Sequence, residues 1–189
     1  MEIIWHGNSC LTFKGKGGVT LITNPQTVSG KMKGEIVLVS GPNDKAIEVE
    51  GSKNVVDWPG EYEMSDIPIF GLQVDKTVIY CFEIEGIKIC HLGELANTLT
   101  SETVKDIGDV DVLVIKVGAG SNLDGKKAME VIEEIEPRVV IPMTEDNDAE
   151  MAIKSIGANQ VETAEKFVIK SRSELPEDQM RYVALTLTK

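Results

Sequence analysis

The sequence has 189 residues, 42% of them hydrophobic, which is enough for one domain with a sizeable core, so we expect a single domain over residues 1–189. Thirty-one acidic against nineteen basic residues give a net charge of −12, which repels phosphate backbones and anionic membrane surfaces and argues against nucleic-acid and membrane partners. No apolar run approaches the roughly 20 residues of a membrane span, and the first residues lack a leader pattern, so a cytoplasmic location is expected.

Short runs of apolar and β-branched residues, separated by turn residues, dominate the first half of the sequence and predict strands. The predicted strands are Glu2–Trp5, Cys10–Lys14, Val19–Thr23, Glu35–Val39, Asn54–Val56, Ile67–Gly71, Val78–Glu83 and Lys88–His91. Between the fifth and sixth of these, Glu61-Tyr62-Glu63 follows the turn-forming pair Pro59-Gly60, and we interpret the segment as a turn leading into a strand.

Helices and strands alternate in the second half. Thr100 and Asp124 are predicted to cap the first two helices, and a third is predicted from near Asn147 to Gly157. The intervening and following strands are predicted at Val112–Val117, Arg138–Pro142, Lys166–Lys170 and Arg181–Thr188. This mixture is compatible with two sheets packed face to face with helices outside.

Three cysteines, Cys10, Cys81 and Cys90, each lie within a strand-like pattern. Their odd number and the expected cytoplasmic location predict buried, reduced thiols rather than a disulfide framework. Cys90 and His91 are adjacent on one predicted strand, so their side chains should point to opposite faces, which argues against a Cys–His nucleophile pair.

Four segments carry a family resemblance: PGEYE at residues 59–63, IKICHLGEL at 87–95, DVLVI at 111–115 and IEPRVVIPM at 135–143. Together they resemble the small bacterial metallo-β-lactamase-fold hydrolases with PGEYE, HLGDL and IEPxIVIPMH segments, and the resemblance covers nearly the whole chain. It implies an α+β fold, specifically a four-layer αββα sandwich, with a two-metal site at the ends of the strands.

The metal-binding positions that this resemblance implies are altered. In the family, a strand-end turn reads His-x-His-x-Asp-His, an Asp follows HLG and a His follows IPM. The corresponding positions here are Ser40, Pro42, Asp44, Lys45, Glu94 and Thr144. A loop that carries a further His in the family has no counterpart. Zinc prefers imidazole and carboxylate ligands, and the chain has only two histidines, so we predict no di-zinc centre and no cofactor.

Some candidate site residues remain. Asp44, His91 and Glu94 could form a reduced one-metal site, although His91 is interpreted more readily as a residue that hydrogen-bonds a neighbouring turn. An all-oxygen Mg²⁺ or Ca²⁺ site could combine Asp44 and Glu94 with Glu61 or Glu63, but the adjacent Lys45 argues against a cation there. Lys45 is instead predicted to form an ion pair with Asp44 or Glu94 in place of the metal.

These observations lead to three functional hypotheses. The first is a degenerate metallo-β-lactamase-fold protein that has lost its metal centre and acts as a pseudoenzyme in binding, assembly or regulation. The alternative is a metal-dependent hydrolase of a small ester, lactone or phosphodiester that uses a reduced one-metal site. The third is a scaffold subunit that forms a homo-oligomer or pairs with an intact paralogue.

Overall fold

A computed structural model describes residues 1–26, 30–41, 48–118, 123–145, 148–158 and 161–188. In these residues the strands are β1 Glu2–Trp5, β2 Leu11–Lys14, β3 Thr20–Thr23, β4 Ile36–Leu38, β5 Asn54–Val56, β6 Gly60–Met64, β7 Ile67–Val74, β8 Thr77–Ile84, β9 Ile87–His91, β10 Val112–Lys116, β11 Val139–Met143, β12 Val161–Ala164, β13 Phe167–Val168 and β14 Arg181–Leu185. The α-helices are α1 Ser101–Ile107, α2 Gly125–Ile135 and α3 Ala149–Ser155, and a short 3₁₀ helix spans Arg172–Glu174.

The strands form two mixed sheets. One has six strands in the order β13-β1-β2-β3-β4-β5, and the other has eight in the order β12-β14-β11-β10-β9-β8-β7-β6. Strands β3, β4 and β5 run parallel to one another in the first sheet, as do β9, β10 and β11 in the second. In each of these parallel groups, the carboxyl ends of the strands therefore lie at one edge of the sheet.

Alternating side chains divide each sheet into an inner and an outer face. The inner faces pack together in one core, to which the six-stranded sheet contributes Trp5, Phe13 and Leu38 and the eight-stranded sheet Tyr80 and Val114. The rings of Phe13 and Phe82 meet edge to face across this core, with their centroids 5.0 Å apart.

Helices cover the outer face of the eight-stranded sheet. The apolar side of α2, including Val131 and Ile132, packs in one cluster with Cys90, Leu113 and Val140 of that sheet. On the outside of the six-stranded sheet, Met32 and Val49 from connecting segments pack against the strands. Within the described ranges, no helix is long and apolar enough to span a membrane.

The two-sheet α/β sandwich predicted from the sequence is confirmed. Twelve predicted strands are present with ends shifted by up to three residues, and Glu61-Tyr62-Glu63 lies in β6 as interpreted. Strand β12, whose residues include Glu162 and Thr163, was not predicted from the sequence. This strand is held by parallel pairing with β14, an interaction that its own polar composition does not reveal.

The thiols also follow the prediction in part. All three cysteines are thiols rather than disulfide partners; Cys10 and Cys90 are buried, but Cys81 is only half-buried. Cys81 lines a cleft, which explains the difference.

The capping interaction of α2 gives a first testable prediction. The Asp124 carboxylate accepts a hydrogen bond of 2.9 Å from the backbone N–H of Lys127, so Asp124→Ala removes a helix cap. We expect a loss of about 1 kcal/mol in the free energy of unfolding, measured by urea denaturation. Glu134→Ala on the exposed side of the same helix is the control, for which we expect a change within about 0.5 kcal/mol. Equal effects of the two substitutions would contradict the capping role.

Candidate functional site

Polar side chains lie at the carboxyl ends of the parallel strands in both sheets. Asn24 and Thr144 directly follow β3 and β11, His91 and Lys116 end β9 and β10, and Ser40 lies just after β4. All five residues are buried. We call this group the strand-end site.

Hydrogen bonds join the two sheets at this site. The Ser40 carbonyl oxygen accepts from the backbone N–H of Val78 at 2.7 Å and from the Thr77 hydroxyl at 3.2 Å, both on β8 of the other sheet. The Ser40 N–H donates to the Asn24 side-chain oxygen at 2.7 Å. The buried amide of Asn24 therefore orients the Ser40 backbone, and no carboxylate is needed for this.

The turn after His91 packs directly on Ser40. Gly93 has a φ of 57°, and a Cβ atom on it would lie 2.6 Å from the Ser40 Cβ and from the Thr77 hydroxyl. Only glycine fits this approach. The backbone N–H of Glu94 donates to the Thr77 hydroxyl at 3.1 Å, which fixes the start of the Glu94 side chain.

Lys116 is the cationic centre of the site. Its ammonium lies 2.5 Å from Glu94 Oε2 and 3.0 Å from Glu145 Oε1, and its side chain is only 5% exposed. Burial lowers the pKa of Lys116, but the hydrogen bonds and charges of Glu94 and Glu145 outweigh burial and raise the pKa above its ordinary value. The ammonium is thus fully charged at neutral pH and compensates carboxylate charge.

His91 is fully buried and both of its ring nitrogens are in hydrogen bonds. Nδ1 accepts from the Gly93 N–H at 3.1 Å, so Nε2 carries the proton that is donated to the Ser9 carbonyl oxygen at 3.1 Å. Burial lowers its pKa to about 4, against smaller opposing effects of the Ser9 hydrogen bond and the Glu94 charge. A neutral imidazole with both nitrogens engaged bridges the sheets and is not open to a metal ion.

Several polar atoms at the site have no hydrogen-bond partner among the described residues. They include the Ser40 and Thr144 hydroxyls and the Asn24 side-chain nitrogen. Ser40 also lines a cleft of 400 Å³, together with Trp58, Gln73 and Lys76. Trp58 is 71% exposed, which is unusual for an indole. Unpaired buried polar atoms beside such a cleft indicate a place for a polar ligand or water.

The described residues do not fit the two-metal centre that the fold family implies. In the parts of the chain that the structure describes, no group of three or more His, Cys, Asp or Glu residues could hold a metal ion. The ligand positions after β4 and β11 present hydroxyls, Ser40 and Thr144, and Glu94 is engaged by the Lys116 ammonium. Neutral hydroxyls and an ion-paired carboxylate are weak ligands for zinc.

The other predicted site residues are separated or undescribed. Pro42, Asp44 and Lys45 lie outside the described residues, so the proposed pairing of Lys45 stays a prediction. Glu61 and Glu63 line a different cleft, on the outer face of the eight-stranded sheet.

Sequence reasoning missed the role of Lys116. The sequence did contain a signal for this role. Lys116 is the one charged residue in the apolar run Val112–Val117. It lies two residues after Val114 on the same strand, so both side chains point to the inner face of the sheet.

Comparisons with known proteins agree with this architecture. A family model described as the Beta-lactamase superfamily domain matches residues 2–144. A UPF0173 protein of Pyrococcus abyssi is 24% identical, over 76% of this chain and 82% of its own length. A UPF0173 metal-dependent hydrolase of Thermococcus onnurineus is 28% identical over 54% of this chain and 45% of its own length.

Solved structures show the same fold. The crystal structure of a proposed Zn-dependent hydrolase of the metallo-β-lactamase superfamily from Thermotoga maritima has a TM-score of 0.82 and 29% identity, and the match covers 97% of this chain and 98% of that one. A metallo hydrolase from Ignicoccus hospitalis has a TM-score of 0.66 at 14% identity, covering 89% and 99% of the two chains, which shows likeness of fold alone.

The ion-pair cluster gives a second prediction. Lys116→Met keeps most of the buried volume but leaves Glu94 and Glu145 without their cation. Because these carboxylates are 35% and 45% exposed, water will compensate part of the loss, and we expect the free energy of unfolding to fall by about 1–2 kcal/mol.

The matched control for Lys116→Met is Lys88→Met, which breaks an exposed pair with Asp109 at 3.8 Å. For this variant we expect less than about 0.5 kcal/mol. Both free energies come from urea denaturation at pH 7. A Lys116→Met variant as stable as the parent would show that the cluster does not hold the site.

The neutral His91 predicts loss of stability in acid. Its folded pKa of about 4 lies below the ordinary value of 6.5, so the unfolded chain binds more protons between these values. The stabilising contribution is complete above pH 6.5 and is lost as the pH falls towards 4, by on the order of 3 kcal/mol.

Two measurements test the acid response of His91. The His91 ring resonance, followed by NMR, should stay that of a neutral imidazole at pH 5.5. The free energy of unfolding should fall more steeply below pH 6.5 in the parent than in His91→Gln, which lacks the titrating group. Equal pH slopes for the two proteins would contradict the assignment.

Proposed function

The chain belongs to the beta-lactamase superfamily, and on this premise we propose that it is a metal-dependent hydrolase of a small ester, lactone or phosphodiester with a reduced one-metal site. The names of its relatives support this proposal, since the Thermococcus relative is named a metal-dependent hydrolase and the Thermotoga structure a proposed Zn-dependent one. They favour hydrolysis over the pseudoenzyme hypothesis.

The single observation that carries the proposal is the cleft beside Ser40. Its lining combines a buried hydroxyl without a partner in the described residues, an exposed indole on Trp58 and two side chains of opposite charge, Lys76 and Asp57. The indole provides an apolar face for the body of a small substrate, while the ammonium attracts a carboxylate, phosphate or developing oxyanion. A small polar ester or lactone matches this combination.

A metal ion would have few described ligands. Glu94 and Glu145 are the carboxylates at the strand-end site, and both pair with Lys116. A one-metal site would therefore need Asp44, which lies outside the described residues, and release of a carboxylate from Lys116. We derive no catalytic step through a metal for this reason.

One observation favours a second function, that of a metal-free pseudoenzyme. The Lys116 ammonium already neutralises the two carboxylates, as a bound metal ion otherwise would. In this case the cleft binds a ligand without cleaving it, and the chain acts in binding, assembly or regulation, for example by pairing with itself or with an intact paralogue. The two functions differ in metal content and in turnover.

Metal analysis and a hydrolysis assay separate them. The protein is purified after exposure to excess zinc, manganese or magnesium, and bound metal is measured per chain. For a hydrolase we expect one bound metal ion per chain, and cleavage of 4-nitrophenyl acetate or bis(4-nitrophenyl) phosphate that EDTA abolishes. Folded protein with neither metal nor turnover would instead support the pseudoenzyme. Two ions per chain would contradict both functions.

Matched variants then assign any turnover to the cleft rather than to a contaminant. Trp58→Ala should raise KM about fivefold, equivalent to about 1 kcal/mol, with little change in kcat, because it removes a binding surface. Val55→Ala changes a neighbouring residue that is also exposed but does not line the cleft, and it should leave KM unchanged.

A further inference from the structure

A second cleft, of 620 Å³, lies on the outer face of the eight-stranded sheet near the end of α1. Its lining includes Phe70 of β7, Cys81 of β8 and Asp109 after α1. Cys81 is half-buried and is one of the residues that line this open cleft. Small solutes can therefore reach this thiol.

A second thiol lies directly behind Cys81. Cys81 and Cys90 are directly opposite each other on the antiparallel strands β8 and β9, and their Sγ atoms are 3.3 Å apart. Opposed Cα atoms in antiparallel strands are about 4.5–5.5 Å apart. This range lies within the roughly 4.4–6.8 Å that disulfides span, so a bond between the two sulfurs needs no rearrangement of the strands.

The two thiols have different surroundings. Cys90 is fully buried among apolar side chains that include Leu113 and Val131. The hydrogen bond with Cys81, together with burial, raises the pKa of Cys90 well above its ordinary value. Cys90 is therefore a protected thiol, and Cys81 is the one that meets a solute first.

We propose that Cys81 and Cys90 form a reversible oxidation site, which a peroxide converts into a disulfide. The Cys81 thiolate attacks one peroxide oxygen, an S–O bond forms, the O–O bond breaks, and the released hydroxide takes up a proton to become water. Cys90 loses its proton and attacks the Cys81 sulfur, so that the S–S bond forms, the S–O bond breaks and a second water leaves. The two thiols together supply the two electrons that reduce the peroxide.

The site lies close to the strand-end site but does not depend on its function. The next opposed pair along β8 and β9 is Tyr80 and His91, and their side chains face the other way, into the core between the sheets. Oxidation of the thiol pair is therefore measured by thiol counting, whatever metal or substrate the strand-end site binds.

The test counts free thiols in the full-length protein. Reduced protein is exposed to hydrogen peroxide, the peroxide is removed, and the unfolded chain is alkylated and weighed by mass spectrometry. The reduced chain should carry three labels, one on each cysteine. The oxidised chain should carry one, on Cys10, with Cys81 and Cys90 in one linked pair of peptides, and dithiothreitol should restore all three.

Cys10 provides the matched control, because it is buried against Met32 on the outer face of the other sheet, with the two sulfurs 3.7 Å apart. Cys10→Ser should still form the Cys81–Cys90 disulfide. Cys81→Ser and, separately, Cys90→Ala should abolish it, and near-ultraviolet circular dichroism shows whether each variant is folded. Three labels on the folded parent after peroxide treatment, or a disulfide that includes Cys10, would overturn the proposal.

Discussion

Face-to-face burial of two sheets is the constraint on which the rest of the structure depends. The apolar inner faces can leave water only against each other, and this sets which side chains alternate inwards on every strand. It also brings the strand ends of both sheets to one edge. There the Ser40 carbonyl accepts hydrogen bonds from Thr77 and Val78 of the opposite sheet, so a backbone group at the strand-end site joins the two layers.

Charge compensation at this edge follows from burial. A carboxylate near a partly desolvated sheet edge needs a cation nearby, and in this chain Lys116 provides it from the end of β10 for both Glu94 and Glu145. At the opposite end of β10 the buried group is an anion and its partners are cations. The buried Asp111 carboxylate there is held by the guanidinium groups of Arg138 and Arg172. Charged residues thus flank both ends of a strand whose middle is entirely apolar.

The superfamily fold and the chemistry of the strand-end site favour different functions. Family membership and the names of relatives favour hydrolysis, and the cleft beside Trp58 offers a place for a small substrate. The altered ligand positions, the engaged nitrogens of His91 and the ion-paired Glu94 limit what metal chemistry the described residues can support. These facts are compatible in a hydrolase with a one-metal site, and measured metal content decides between that enzyme and a metal-free relative.

The sequence by itself determined most of the secondary structure, because strand alternation, helix caps such as Asp124 and turn residues act over short distances. Its motifs also carried the resemblance to the superfamily. Only the tertiary structure decided which partners the residues of the strand-end site have. The pairing of Lys116 with Glu94 joins residues 22 positions apart, and the Ser40 carbonyl meets the backbone N–H of Val78 in the opposite sheet. Such contacts depend on how the strands are ordered and packed, which no local pattern in the sequence encodes.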